Sequence, residues 1–184
     1  MKPKTEPGRS PLKTGPSTAP AGQASVALLG LLAALALALS FLESLLPALP
    51  IPGAKLGLSN IVTMYALTAL SLPAALGITA VKAVFALLRG GSAFLMSAAG
   101  GFLSTFVMAL CLRLFRGRMT YLGVGIAGAV AHNGGQLLTA LLLMGTPVLY
   151  YAPWLLLMAL ATGAVTGITL NLLLPAIQKL RRQL

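Results

Sequence analysis

The chain has 184 residues, of which 58% are hydrophobic and 8% charged, with a mean hydropathy of +0.93. Soluble domains are about one-quarter charged, so a water-soluble globule is excluded, and continuous apolar runs in place of ten-residue alternation exclude a membrane β-barrel. The formal charge of +11 rests on 13 Lys and Arg against two acidic residues, but most of these charges sit in the tails and one short loop, a placement that sets membrane orientation and gives no nucleic-acid-binding face.

Residues 1–24 hold five prolines together with Lys2, Lys4, Arg9 and Lys13. Nothing there offsets the entropy of ordering, so a disordered basic tail is expected. Ala36-Leu37-Ala38 resembles a signal-peptide cleavage site, but the apolar stretch runs on to Leu46, long enough to span, which favours a retained helix. The expected fold class is all-α, a polytopic membrane protein with about six transmembrane helices: Ser25–Leu46, Leu56–Leu70, Pro73–Leu88, Ala93–Leu114, Tyr121–Met144 and Tyr151–Leu174. Residues 25–175 form that domain and 176–184 a second basic tail. The second and third segments fall short of the roughly 20 residues of a straight span. Five spans is therefore the competing count, with one short segment tilted or irregular and lining a cavity.

With six spans, ten basic residues share one side: Lys2, Lys4, Arg9, Lys13, Arg113, Arg116, Arg118, Lys179, Arg181 and Arg182. Only Lys55 and Arg89 lie opposite, and Lys82 falls inside the third span. The bias predicts cytoplasmic termini. It places outside the turn Pro50-Ile51-Pro52-Gly53-Ala54-Lys55, the Arg89–Ser92 turn and the Gly145–Tyr150 loop, with Tyr150, Tyr151 and Trp154 as an interfacial belt. Cys111 is expected to be a buried, inert thiol.

The acidic residues are Glu6 in the tail and Glu43 near the outer end of the first span. The chain therefore has no paired carboxylates, metal-ligand cluster or phosphate-binding loop pattern, and His132 has no evident nucleophile or orienting partner. Neither an enzyme, a metal site nor a cofactor is expected.

What carries function is a sparse polar set inside spans. Lys82 and Arg89 are seven residues apart, on one helix face and about 10 Å apart in depth. They form with Lys55 a cationic outer pocket for an anionic ligand, or Lys82 pairs with Glu43 to lock helices together, or Lys55 and Arg89 snorkel as interface anchors. Asn60 enters the second span toward this region. In Ala131-His132-Asn133-Gly134-Gly135-Gln136, His132 and Gln136 share a face with Asn133 beside them. Interhelical hydrogen bonding and ligand contact both account for this cluster. Ser97, Gly100, Gly101 and Ser104 in the fourth span, and Thr162, Gly163, Thr166, Gly167 and Thr169 in the sixth, read as close-packing faces. Gly30, Ala34 and Ala38 make a small-residue ladder that faces either the bundle or a partner protein.

Three motifs, Pro52-Gly53-Ala54-Lys55-Leu56-Gly57-Leu58-Ser59-Asn60, Arg89-Gly90-Gly91-Ser92-Ala93-Phe94-Leu95-Met96-Ser97 and Gly128-Ala129-Val130-Ala131-His132-Asn133-Gly134-Gly135-Gln136, occur in this order. Together they resemble the Gx transporter family, often labelled heptaprenyl diphosphate synthase component I, over roughly Ser25–Leu174. That family is similar to the S components of energy-coupling-factor transporters, six-helix proteins of the bacterial cytoplasmic membrane. These bind a vitamin or metabolite at the outer face and topple against a transmembrane scaffold driven by two ATPase subunits. The resemblance implies a substrate-capture subunit whose partners are a small-molecule ligand, the lipid bilayer and that scaffold. Asn60, Lys82, Arg89, His132, Asn133, Gln136 and Lys55 would hold the ligand. Gly30, Ala34 and Ala38 would dock the scaffold, with Gly30 standing where an alanine is expected. The synthase label conflicts with the two acidic residues, which cannot build an aspartate-rich magnesium site; under that label the chain would be a non-catalytic accessory to quinone or prenyl synthesis.

Overall fold

The computed structural model describes residues 21–45, 57–115 and 118–181. The amino tail through Pro20, Lys55 with the rest of the 46–56 connection, Arg116 and the last three residues lie outside the described residues. Among those described, every regular element is helical: α1 (Ala21–Leu45), α2 (Leu58–Ala69), α3 (Leu72–Ala86), α4 (Gly91–Phe115), α5 (Tyr121–Met144) and α6 (Ala152–Arg181). Short 3-10 turns at Leu87–Arg89 and Thr146–Tyr151 extend α3 and introduce α6. Helix α1 thus begins at Ala21, ahead of the expected boundary at 24, and α6 runs through Pro175 to Arg181, past the boundary expected at 175.

Five helical stretches are long and apolar enough to cross a membrane: 26–45, 72–89, 91–115, 121–144 and 146–176. Helix α2 is the exception. Its 12 residues rise about 18 Å, well short of the roughly 30 Å hydrocarbon core. Of the two short segments in the sequence, the second is the irregular one. The third reaches spanning length through its 3-10 extension.

Local chemistry sets the helix ends. Ser71 caps α3, its Oγ accepting from the Ala74 N–H at 3.3 Å, with Pro73 in the first turn. Thr120 caps α5 in the same way through the Gly123 N–H. Gly90, at φ 115°, ends the Leu87–Arg89 turn in a conformation other residues resist.

Side-chain sorting follows from having lipid outside. Leu32, Ala36, Val62, Ala66, Ala75 and Ile78 pack α1, α2 and α3 together, and Met64, Met108, Val124, Leu170 and Leu174 join α2 to α4, α5 and α6. Large apolar residues stay on the outside of the long helices, Leu31, Phe106, Leu142 and Leu172 among them. In water such a surface would aggregate; against acyl chains it is solvated.

The tightest seam is between α5 and α6, where glycines let backbones touch. A Cβ on Gly163 would lie 2.5 Å from Ile126 Cα and 2.8 Å from Gly125 O, and one on Gly167 would lie 2.4 Å from Leu122 Cα. Across α4–α5, a Cβ on Gly135 would meet Ala99 O and Gly100 Cα at 2.9 Å. The small-residue faces expected on α4 and α6 are packing faces. On α3–α4 the Thr79 and Thr105 hydroxyls lie 3.0 Å apart, and each is 2.9 Å from the carbonyl four residues back on its own helix; with one proton each, one hydroxyl donates to its own helix while the other donates across the seam. Cys111 differs from expectation. It is half-buried and lines a cavity of about 390 Å³ with Leu112, Met119, Thr120, Tyr121 and Asn171.

Candidate ligand-binding site

Helices α1 to α5 converge on a cavity of about 20 Å³ near the Arg89 end of α3. It is lined by Ser40, Glu43, Gly57, Ser59, Asn60, Lys82, Arg89, Ser97 and His132. Apart from Gly57, each of these side chains is polar. The volume holds one or two water molecules.

Lys82, with 9% of its surface exposed, is the buried cation of the site. Its Nζ donates to Asn60 Oδ1 at 2.9 Å and to Thr63 Oγ1 at 3.3 Å, both on α2. Gly57 positions these acceptors. At φ 74° it turns the chain into α2, accepts the Asn60 N–H at 2.9 Å, and lies where a Cβ would come within 3.4 Å of Asn60 Nδ2 and 3.6 Å of Thr162 Cβ. The left-handed turn at Gly57 sets where α2 begins and so where Asn60 stands, and Asn60 in turn holds the ammonium.

Helix α2 has no side-chain cap of its own at Gly57. Instead Glu43 Oε1, on α1, accepts the Ser59 N–H at 3.4 Å. A carboxylate at a helix N-terminus is favourably placed against the dipole. Glu43 and Lys82 therefore share one cavity, each hydrogen-bonded to α2.

His132 reaches the cavity from α5 because α4 offers no side chain in its way. A Cβ on Gly100 would lie 3.2 Å from the imidazole Cε1 and 2.6 Å from His132 O. Its sequence neighbours go elsewhere. Asn133 donates from Nδ2 to the Leu155 carbonyl of α6 at 2.8 Å, an interhelical bond at 8% exposure. Gln136 lines a separate cavity of about 10 Å³ with Met96, Leu137, Ala140, Val148, Tyr151 and Leu155. Its Oε1 is buried without a hydrogen-bond partner among the described residues.

Of the seven residues expected to bind ligand, the structure brings together Asn60, Lys82, Arg89 and His132. Asn133 and Gln136 stand outside that cavity, and Lys55 outside the described residues. Ser40, Ser59, Thr63 and Ser97 were not expected in a ligand site. Helical spacing carries their signal: Ser40 is three residues before Glu43, and Ser59 and Thr63 are four apart beside Asn60. Gly30, Ala34 and Ala38 all lie exposed on α1, opposite its buried Leu32 and Ala36, and a Cβ on Gly30 would meet nothing within 4 Å. Among the described residues, no three His, Cys, Asp or Glu side chains come together in a way that could hold a metal ion.

No curated protein and no solved structure matches the chain. The family model described as heptaprenyl diphosphate synthase component I matches residues 32–173, a span that takes in every residue of the cavity. The chain is a member of the heptaprenyl diphosphate synthase component I family.

Proposed function

We propose that this chain is a non-catalytic membrane subunit that captures a small, anion-bearing metabolite, in the manner of an S component, for import by partner proteins. The observation that carries this reading is the cavity itself: a buried ammonium, a half-buried imidazole and several hydroxyls meet inside a bundle whose exterior is apolar, with the exposed Arg89 guanidinium at its rim. Ionisable groups at such depth are expensive and mark substrate or ion pathways. Lys82 and Arg89 take the anionic part of the ligand, while Asn60, Ser97 and His132 orient it with hydrogen bonds. Two acidic residues in the whole chain leave no carboxylate set for a magnesium-dependent transferase.

Because Glu43 near the end of α1 and Arg89 at the end of the α3 stretch meet at one cavity, α1 and α3 run the same way although α2 does not itself span, so both termini fall on one side; the basic residues make that side the inside and open the cavity to the outside of a bacterial cytoplasmic membrane. Room for one or two waters is too little for a metabolite, so a wall must move. Helix α1 is the wall least covered by protein, with only 11% of its span buried, and it contributes Ser40 and Glu43. The same helix offers Gly30, Ala34 and Ala38 as a flat, uncovered face for a transmembrane scaffold carrying ATPase subunits.

A second reading has the family's description behind it: an accessory membrane subunit of heptaprenyl diphosphate synthesis. Native mass spectrometry of protein purified from its own membranes separates the two. Capture predicts a co-purifying water-soluble small molecule that is lost on Lys82→Ala. Recovery of lipid or prenyl diphosphate alone overturns it.

A further inference from the structure

A pocket built only for an anion has no use for a carboxylate, yet the single acidic side chain of the membrane domain lines this one. Glu43 shares the cavity with Lys82 and Arg89, and no purely hydrocarbon side chain is present among the described lining residues. Binding the Ser59 N–H at 3.4 Å occupies one lone pair of one oxygen, whereas a carboxylate accepts about four hydrogen bonds. A carboxylate can therefore accept a ligand donor in addition to its protein partners. Two cationic groups, the buried Lys82 and the exposed Arg89 at the rim, against one carboxylate also leave the lining with one positive charge in excess, to which a ligand with one net negative charge is complementary.

We infer that the captured molecule is a compact zwitterion with negative charge in excess by one, an amino-phosphate or amino-dicarboxylate. Its ammonium lies on Glu43 and its anionic end between Lys82 and Arg89. The Ser40, Ser59 and Ser97 hydroxyls, which can donate or accept, fill the polar perimeter between the two ends. This rests on the capture reading and narrows it, since an all-anionic metabolite or a prenyl chain would leave Glu43 opposed or the walls unmatched.

The test uses two matched probe pairs that differ by an amine: phosphoethanolamine against ethyl phosphate, and aspartate against succinate. Each is titrated calorimetrically into the full chain in detergent. The amine-bearing member of at least one pair should bind about tenfold more tightly than its partner, the scale of one charge-assisted hydrogen bond. Glu43→Gln, which retains an acceptor for the Ser59 N–H, should remove that preference; Glu43→Asp should lessen it. Equal or tighter binding of the amine-free members, a preference that survives Glu43→Gln, or no binding of any probe overturns the assignment. If these probes fail while a soluble molecule still co-purifies and depends on Lys82, the charge class is wrong and capture stands. If nothing soluble co-purifies either, the capture reading falls with it.

Discussion

Removing the Asn60 side chain should destabilise the ligand-free protein only while Lys82 is charged. In Asn60→Ala the ammonium loses its 2.9 Å acceptor at a site 9% exposed. Hydrogen bonds between helices in bilayers average about 0.6 kcal/mol and reach about 1.7. Bonds from a charged donor are roughly twice as strong as neutral ones, so this one should contribute about 1–2 kcal/mol. Lys82→Met is the opposite case. It removes the ammonium itself, so this variant should lose ligand and leave Asn60 with no charged donor to accept. In the double variant the cost of Asn60→Ala should vanish. Thermal unfolding of the four proteins in one detergent measures this. With about 2–4 °C per kcal/mol for a chain of this size, the single variant should drop by about 2–8 °C and the double should match Lys82→Met. An equal drop in both backgrounds would refute the reasoning, because Asn60 would then act through packing and not as the acceptor for Lys82.

The adjacent glycines of α5 should respond in opposite ways. Gly134→Ala, with nothing within 4 Å, should be neutral or stabilise by up to about 1 kcal/mol through helix propensity; Gly135→Ala, against Ala99 and Gly100 backbone, should destabilise by about 1–3 kcal/mol, both read by thermal unfolding. Gly163→Ala meets backbone at 2.5 Å and should fall in the same range or beyond it, with weakened Asn133–Leu155 bonding seen as faster amide exchange near Leu155. For Thr79 and Thr105, whose hydroxyls bond at 3.0 Å, either Thr→Val change alone should cost about 0.5–1.5 kcal/mol. The double change should cost less than the two added, and strict additivity in a double-mutant cycle would count against the bond.

By itself the sequence determined the class, the helical segments and the polar residues worth following. A bilayer solvates each apolar segment separately, so a run's length and hydropathy suffice to read it as a helix. Ser71 and Thr120 also mark their helix starts by local chemistry. Which way each helix faces was decided only by the tertiary structure. Lipid and protein core are both apolar, so these helices carry little of the polar-outward periodicity by which a soluble helix reveals its buried side. Hence His132, Asn133 and Gln136, contiguous on α5, go to a polar cavity, to the Leu155 carbonyl and to a separate apolar cavity. The same limit hid the partnership of Lys82 with Asn60 and Thr63, and left open whether Glu43 lies beside Lys82, with which it shares the cavity. These depend on the rotation and depth of short α2 against α1 and α3, set by the Gly57 turn and by packing of residues distant in sequence.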